Sequence, residues 1–221
     1  MKKPLLTIAL IALSFMQSLQ LFSEDLTGYF GFSLTTGSNI PTNGKYSSSV
    51  KTTDLLNVGP QLGLEVSYFL TPGFGLEIMH NTNFNFYKDK YKPSGKEPVM
   101  CINALSLDAV YNFGHLFDKP LISPFIRAGV GGYYWGHLED GLSSDVMKLT
   151  TGEHKATDIG FNVGVGADFA IVKNFTIGLV VDYNMFFPED EAKFGKDFKE
   201  QGYIVPQLKF TYHFLPECCK K

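Results

Sequence analysis

The sequence predicts an all-β protein: an eight-stranded antiparallel transmembrane β-barrel with up-and-down meander order. Its residues alternate in steps of two, so that in the second predicted strand Leu62, Leu64 and Val66 share one face while Gln61 and Glu65 share the other. A period of two is typical of β-strands. The second face carries glycines, small polar residues and charges, as the interior of a membrane barrel requires. Long and short connections also alternate strictly, which a soluble sandwich does not require.

Eight alternating segments are predicted as strands, and they cover residues 25–36, 55–70, 74–87, 100–113, 122–138, 157–171, 174–187 and 202–214. Four long polar connections join them at residues 37–54, 88–99, 139–156 and 188–201. Three short connections lie at residues 71–73, 114–121 and 173–174. Long loops of bacterial barrels face outside and short turns face the periplasm. Both termini are therefore predicted to lie in the periplasm.

The outward positions of these strands fit the profile of a bilayer. Aliphatic residues occupy the strand middles, and aromatic residues occur near both strand ends, as the two membrane interfaces favour. Aromatic residues predicted near the short turns include Tyr68, Phe74, Tyr111, Phe175 and Tyr212, and those near the long loops include Phe84, Phe86, Tyr134, Phe161 and Tyr183.

The N-terminus predicts a secreted protein of one domain. Lys2 and Lys3 precede an apolar run that is too short to span a membrane as a helix, which takes about 20 residues, but is typical of a signal peptide. The predicted domains are a signal peptide at residues 1–23, the barrel at 24–214 and a short periplasmic tail at 215–221. An uncleaved N-terminal anchor is the alternative. The formal net charge of −3 and the absence of a basic patch exclude nucleic acid as an expected partner.

The last strand resembles the C-terminal assembly signal of bacterial outer-membrane barrels, because it alternates from Gln207 to Phe214 and closes on an aromatic residue. The whole mature chain resembles the small eight-stranded group of the OmpA membrane domain, OmpX and OmpW. This resemblance implies location in the cell outer membrane, contact with outer-membrane lipid, and recognition by the barrel assembly machinery through the strand that ends at Phe214. In that group the terminal aromatic is usually the last residue, whereas here residues 215–221 follow it.

Seven charged residues fall on the inward parity of the predicted strands, within one or two layers of the lumen. One interpretation is a buried ion-pair network that plugs the interior, because charges removed from water need partners. The other is a narrow cation-selective path, because the acids outnumber the bases. The seven residues are Glu65, Glu77, Asp108, Arg127, Asp168, Asp182 and Lys209.

A second motif lies on the lipid-facing side of the third strand. His80-Asn81-Thr82-Asn83 resembles the His-x-Ser-Asn stretch of the lipid A 3-O-deacylases of the PagL type, with Thr82 in place of serine. That resemblance implies an acyl-ester hydrolase. Such an enzyme also needs an acid to orient its histidine, and Glu97 in the next loop is the only nearby candidate. The alternative is that His80 and Thr82 are a polar pair at the membrane interface on the side of the long loops.

The sequence as a whole favours a non-enzymatic outer-membrane barrel with a closed or narrow lumen and four surface loops for contact or binding. A channel for small or apolar solutes and the lipid A hydrolase are the alternatives. No cofactor is expected, and the three cysteines show no metal-binding spacing. Tyr133 and Trp135 lie in the fifth strand near the third long connection, and we interpret them as interior packing rather than as a contact surface.

Overall fold

The computed structural model describes residues 26–47, 49–117, 121–142, 145–149, 152–172, 174–189 and 200–214. Eight strands form one closed antiparallel barrel in which each strand pairs with its neighbours along the chain and the first pairs with the last. The predicted fold class is therefore confirmed. The strands are β1 (Phe30–Asn43), β2 (Gly59–Phe69), β3 (Phe74–Phe86), β4 (Val99–Asn112), β5 (Ile122–Leu138), β6 (Lys155–Val172), β7 (Phe175–Phe186) and β8 (Gln201–Phe214).

Short hairpins and a one-turn helix lie at the end of the barrel that carries the long connections, here named the loop end. A hairpin of Lys45–Ser47 and Val50–Lys51 and the one-turn helix α1 (Thr52–Leu55) lie between β1 and β2. A second hairpin, Lys148–Leu149 with Gly152–Glu153, lies between β5 and β6. The described residues also include two single 3₁₀ turns, Asp89–Tyr91 at the loop end and Gly114–Leu116 at the opposite end, here named the turn end.

The closure of the barrel fixes which face of every strand is inside. Phe30 of β1 pairs with Phe214 of β8 at the turn end, and the pairing continues to Asn43 at the loop end. Along β2 the inward residues are buried and most outward residues are exposed in strict alternation. Large apolar side chains cover the outside, among them Leu62, Ile78, Leu105, Ile126, Val165 and Leu179. No helix among the described residues is long and apolar enough to cross a membrane.

The first predicted strand is wrong at both ends, and the second is wrong at its start. Strand β1 begins at Phe30 rather than residue 25 and runs to Asn43 rather than residue 36. Residues 37–43 are therefore strand rather than loop, because the interior is polar and accepts the fully buried Asn39. Strand β2 begins at Gly59 rather than residue 55, since the consecutive Leu55 and Leu56 are both buried and break the alternation.

The other six strands agree with the predicted bounds to within two residues. The predicted signal peptide and the predicted tail at 215–221, which carries Cys218 and Cys219, lie outside the described residues. So do Lys173 of the predicted tight turn and most of the fourth long connection.

Candidate functional site

The candidate site is the interior of the barrel, where alternation directs side chains from five strands to one level. Glu65 comes from β2, Glu77 from β3, Arg127 from β5, Asp182 from β7 and Lys209 from β8. All five are buried. They occur at inward positions because each is flanked in its strand by residues that face outward. The structure thus brings together five of the seven charged residues that the sequence assigns to the lumen.

Arg127 is the centre of this group, here named the ion cluster. Its Nε and Nη2 donate to Asp182 Oδ1 and Oδ2 at 2.9 and 2.6 Å, which is a bidentate pair. Its Nη1 donates to Glu65 Oε1 at 2.9 Å and to Glu77 Oε2 at 3.2 Å. Gln207 Nε2 also donates to the Asp182 carboxylate. The guanidinium therefore reaches from β5 to β2 and β3 on one side and to β7 on the other.

Lys209 closes the ion cluster from β8. Its Nζ lies 3.1 Å from Glu65 Oε2 and 3.1 Å from Glu77 Oε1, so both glutamates are shared between the two bases. The ammonium also lies 5.0 Å from the centre of the Phe125 ring, within the range of a cation–π contact. Three carboxylates and two bases thus form one connected network.

Asp108 and Asp168 share the inward parity but make no ion pair with any described residue. Asp108 Oδ2 accepts a hydrogen bond of 2.7 Å from Asn162 Nδ2. Asp168 is half-buried on β6, and its Oδ1 has no hydrogen-bond partner among the described residues. The network is therefore smaller than the set that the sequence places in the lumen.

A band of carboxamide side chains continues the polar interior towards the loop end. The sequence shows it as asparagine at every second residue, Asn81, Asn83 and Asn85, all of which are buried on the inside of β3. Asn39 Nδ2 of β1 donates to Asn85 Oδ1 of β3 at 2.5 Å, past the intervening strand β2. Gln61 Nε2 donates to Asn81 Oδ1 at 2.9 Å. This band was not predicted from the sequence, although its period of two is visible there.

An apolar and aromatic layer fills the barrel at the loop end. Tyr133, Trp135 and Phe186 are fully buried, and the Phe186 ring centre lies 5.6 Å from that of Tyr133 and 6.1 Å from that of Trp135. Interior packing of Tyr133 and Trp135 is thus confirmed. Trp135 Nε1 donates to Asp158 Oδ2 at 2.6 Å. Asp158 was not assigned from the sequence, although it lies on the inward parity of the sixth strand.

Two histidines stack on the loop-end side of this layer, and neither was predicted as a site residue from the sequence. The rings of His137 and His154 have centroids 4.2 Å apart and an interplanar angle of 11°. The Tyr87 hydroxyl and His137 Nδ1 share a hydrogen bond of 2.6 Å. Burial raises the pKa of Tyr87 well above its usual value, so this phenol stays neutral. The two histidines are 17 residues apart in sequence, and only the third long loop brings them together.

The motif at His80 faces the outside of the barrel, as the sequence predicts. His80 is exposed on β3, and Thr82 is half-buried. The Thr82 hydroxyl donates to Asn103 Oδ1 at 2.8 Å rather than to His80. Glu97 instead makes an ion pair of 2.6 Å with Lys92 in the second loop. Among the described residues, no acid contacts His80, so the relay of an acyl-ester hydrolase is not assembled.

The fold and these side chains together define a small membrane β-barrel with an apolar outside and an ion-paired interior. The sequence profile described as "Outer membrane protein beta-barrel domain" matches residues 6–214 of this chain. The chain therefore belongs to this family of outer-membrane proteins. No curated protein sequence matches the chain.

Solved structures of small outer-membrane barrels have a similar fold. Neisserial surface protein A aligns with a TM-score of 0.57 and 12% identity over 86% of this chain and 99% of that chain. OprG from Pseudomonas aeruginosa aligns with a TM-score of 0.51 and 14% identity over 86% and 97%. The outer membrane protein W of E. coli aligns with a TM-score of 0.48 and 17% identity over 85% and 98%. At these identities, the alignments with a TM-score above 0.5 show a shared fold alone.

Proposed function

We propose that this protein is a non-enzymatic outer-membrane barrel with a closed lumen, whose long loops lie outside the cell and contact other surfaces or small solutes. Both termini and the turn end then lie in the periplasm. The observation that carries the proposal is the reach of Arg127 across the interior. Its guanidinium joins Asp182 on β7 to Glu65 on β2, which lies three strands away from β5 around the ring.

A second barrier supports closure. The layer of Tyr133, Trp135 and Phe186 fills the lumen nearer the loop end, so a solute would have to displace two packed layers of different chemistry. Charged groups that are buried together in fixed geometry resist separation, because each would be left without a partner in a medium of low dielectric. A barrel of eight strands leaves an interior that side chains just fill.

A cation-conducting channel is the second candidate, and one observation favours it. Asp108 and Asp168 add two acids to the lumen that no described base neutralises by an ion pair. A hydrated lumen lined by these carboxylates would attract cations. The hydrolase alternative has less support, because Thr82 is committed to Asn103 and His80 lacks an orienting acid within the described part of the chain.

Planar-bilayer recording combined with urea unfolding tests the proposal with Arg127→Ala. We expect the wild type to show no stable conductance step. The variant should unfold at lower urea, because breaking a buried ion pair costs about 3–5 kcal/mol. Lys96→Ala is the matched control, since it removes a base from the exposed Lys96–Glu139 pair, which water screens, so its urea midpoint should stay near the wild-type value. Cation-selective steps in the wild type, with an Arg127→Ala variant of unchanged stability, would favour the channel.

A further inference from the structure

His80 is a polar side chain on an otherwise apolar part of the barrel surface. It lies on the outward face of β3 and is exposed. Apart from Lys155 at the loop-end start of β6, it is the only histidine, lysine, arginine or carboxylic acid among the outward residues of the eight described strands. Its neighbours across the adjacent strands are Leu64 and Leu105, both of which are exposed. A polar residue that faces lipid is costly, and it therefore indicates a partner.

The height of His80 along its strand corresponds to the middle of a membrane. Phe74 and Phe86, exposed aromatic residues at the two ends of β3, are each six residues away from it. Aromatic residues in these positions are typical of the two interfaces of a membrane barrel. At about 3.4 Å per residue and a tilt of about 40°, His80 stands about 16 Å above the turn end, which is half-way across a hydrocarbon core of about 30 Å. The head groups of neither leaflet reach this depth.

No described side chain makes a hydrogen bond to this imidazole. The next polar residues along the same face, Thr82 and Asn103, bond to each other at 2.8 Å, and Asn103 Nδ2 donates to Cys101 Sγ at 3.5 Å. The neutral imidazole therefore presents one N–H donor and one nitrogen acceptor to the outside of the barrel. Because acyl chains offer no hydrogen-bonding group, the partner that fits at this depth is another protein.

We propose that two copies of this chain associate in the membrane through the outward face of β2, β3 and β4, and that their two His80 imidazoles bond to each other. Copies inserted with the same orientation are related by a two-fold axis along the membrane normal, so His80 lies at the same depth in both. An imidazole that both donates and accepts is complementary to itself. A different membrane protein would need a polar group at this same depth, which a second copy supplies by symmetry.

The rest of this face is apolar, and so the imidazole decides what it binds. Contacts between aliphatic side chains gain little over contacts with lipid, because lipid tails are as apolar as leucine. A hydrogen bond within the membrane favours a second copy over lipid. On the opposite side of the barrel, the residue at the same height is Val181 of β7, six residues beyond Phe175. The aliphatic residues around His80 are Leu62, Leu64, Ile78, Leu105 and Leu107, which are 45–57% exposed.

Sedimentation equilibrium of the refolded full-length protein in density-matched detergent micelles tests the proposal, with a reductant present so that no disulfide links two copies. We expect a monomer–dimer equilibrium for the wild type. The dissociation constant should be about tenfold higher for His80→Leu, as the loss of one hydrogen bond within a membrane predicts. The urea midpoint of His80→Leu should equal or exceed that of the wild type, because leucine is favoured where the barrel meets lipid. A residue needed only for folding would lower that midpoint.

Two tryptophan variants test which face forms the contact. Leu105→Trp places a large ring beside His80 and should weaken the dimer. Val181→Trp is the matched control, since it places the same ring at the same height on the opposite side, and it should keep the wild-type dissociation constant.

Three outcomes would overturn the proposal. They are a wild type that stays monomeric at every concentration, an unchanged dissociation constant in His80→Leu, and equal effects of the two tryptophan variants. If His80→Leu does not refold, the wild type and the tryptophan pair decide.

Discussion

Three interior aspartates each lie across a glycine of the neighbouring strand, and each pair is in direct register. A Cβ added to any of these glycines would fall closer to the carboxylate than non-bonded atoms allow. The glycines therefore provide the space that the acids occupy against the wall of the barrel. The pairs are Asp108 with Gly129, Asp182 with Gly164, and Asp168 with Gly178.

The pair at Gly164 gives a prediction because it borders the ion cluster. In Gly164→Ala the new methyl group would collide with Asp182 Oδ1 and lie 3.1 Å from Arg127 Cγ. The carboxylate would have to move away from the guanidinium it binds. We expect a loss of about 1–3 kcal/mol in the free energy of unfolding, as for overpacked cores, measured by urea titration of the refolded barrel.

Gly132→Ala is the matched control for this prediction. Gly132 lies on the outward face of β5, and a Cβ there would have no atom within 4 Å. Its urea midpoint should stay at the wild-type value or rise slightly. Equal losses in the two variants would mean that strand glycines matter here for the backbone and not for the space they leave to the carboxylate.

At the scale of the element, β1 shows where a pattern of alternation stops being informative. Up to residue 36, outward Phe32 and Leu34 alternate with inward Ser33 and Thr35, and the strand is visible in the sequence. Beyond it the alternation is lost, because the segment from Gly37 to Asn43 consists mainly of small and polar residues, and its apolar residues, Ile40 and Pro41, are consecutive. Strand pairing nevertheless continues to Asn43, and no local signal could have predicted it.

The candidate site, like strand β1, was only partly predictable from the sequence. Inward parity identified every member of the ion cluster, because parity depends only on the strand itself. The choice of partners depends on barrel closure and side-chain reach across the lumen, which sequence spacing does not contain. Asp108 and Asp168 therefore looked equivalent to Asp182, yet only Asp182 meets Arg127.

The proposed orientation of the loops can be tested element by element with an epitope tag. Gly95 is the preferred site in the second loop, because it has a positive φ of 75° and open space around it. A tag after Gly95 should bind antibody on intact cells. A tag between Pro72 and Gly73, in the short turn between β2 and β3, should bind only after the outer membrane is made permeable. Binding to the turn tag on intact cells would contradict the orientation.

At the scale of the whole molecule, the ion cluster and the aromatic layer lie at different heights along the barrel axis. Arg127 is five residues beyond Ile122 and Trp135 thirteen. With about 3.4 Å per residue and a tilt of about 40°, these positions stand about 13 and 34 Å above the turn end. Tyr133 and Phe186 are each eleven residues beyond the turn-end start of their strand and stand at about 29 Å on the same scale. We therefore expect the ion cluster to lie within a hydrocarbon core of about 30 Å, where its charges are most costly to separate, and the aromatic layer to lie at the far edge of that core.

This geometry also predicts the state of the thiols. Cys101 lies two residues from the loop end of β4, and β4 continues for 11 further residues to Asn112 at the turn end, a distance of about 37 Å. Cys218 and Cys219 follow Phe214, which ends β8 at the turn end. Five residues of extended chain reach at most about 18 Å. A disulfide needs Cα atoms within about 7 Å, so neither cysteine can bond to Cys101 in the same molecule.

Peptide mapping by mass spectrometry under non-reducing conditions should find Cys101 as a thiol in the monomer. A Cys101–Cys218 or Cys101–Cys219 bond within one chain would contradict the strand order itself.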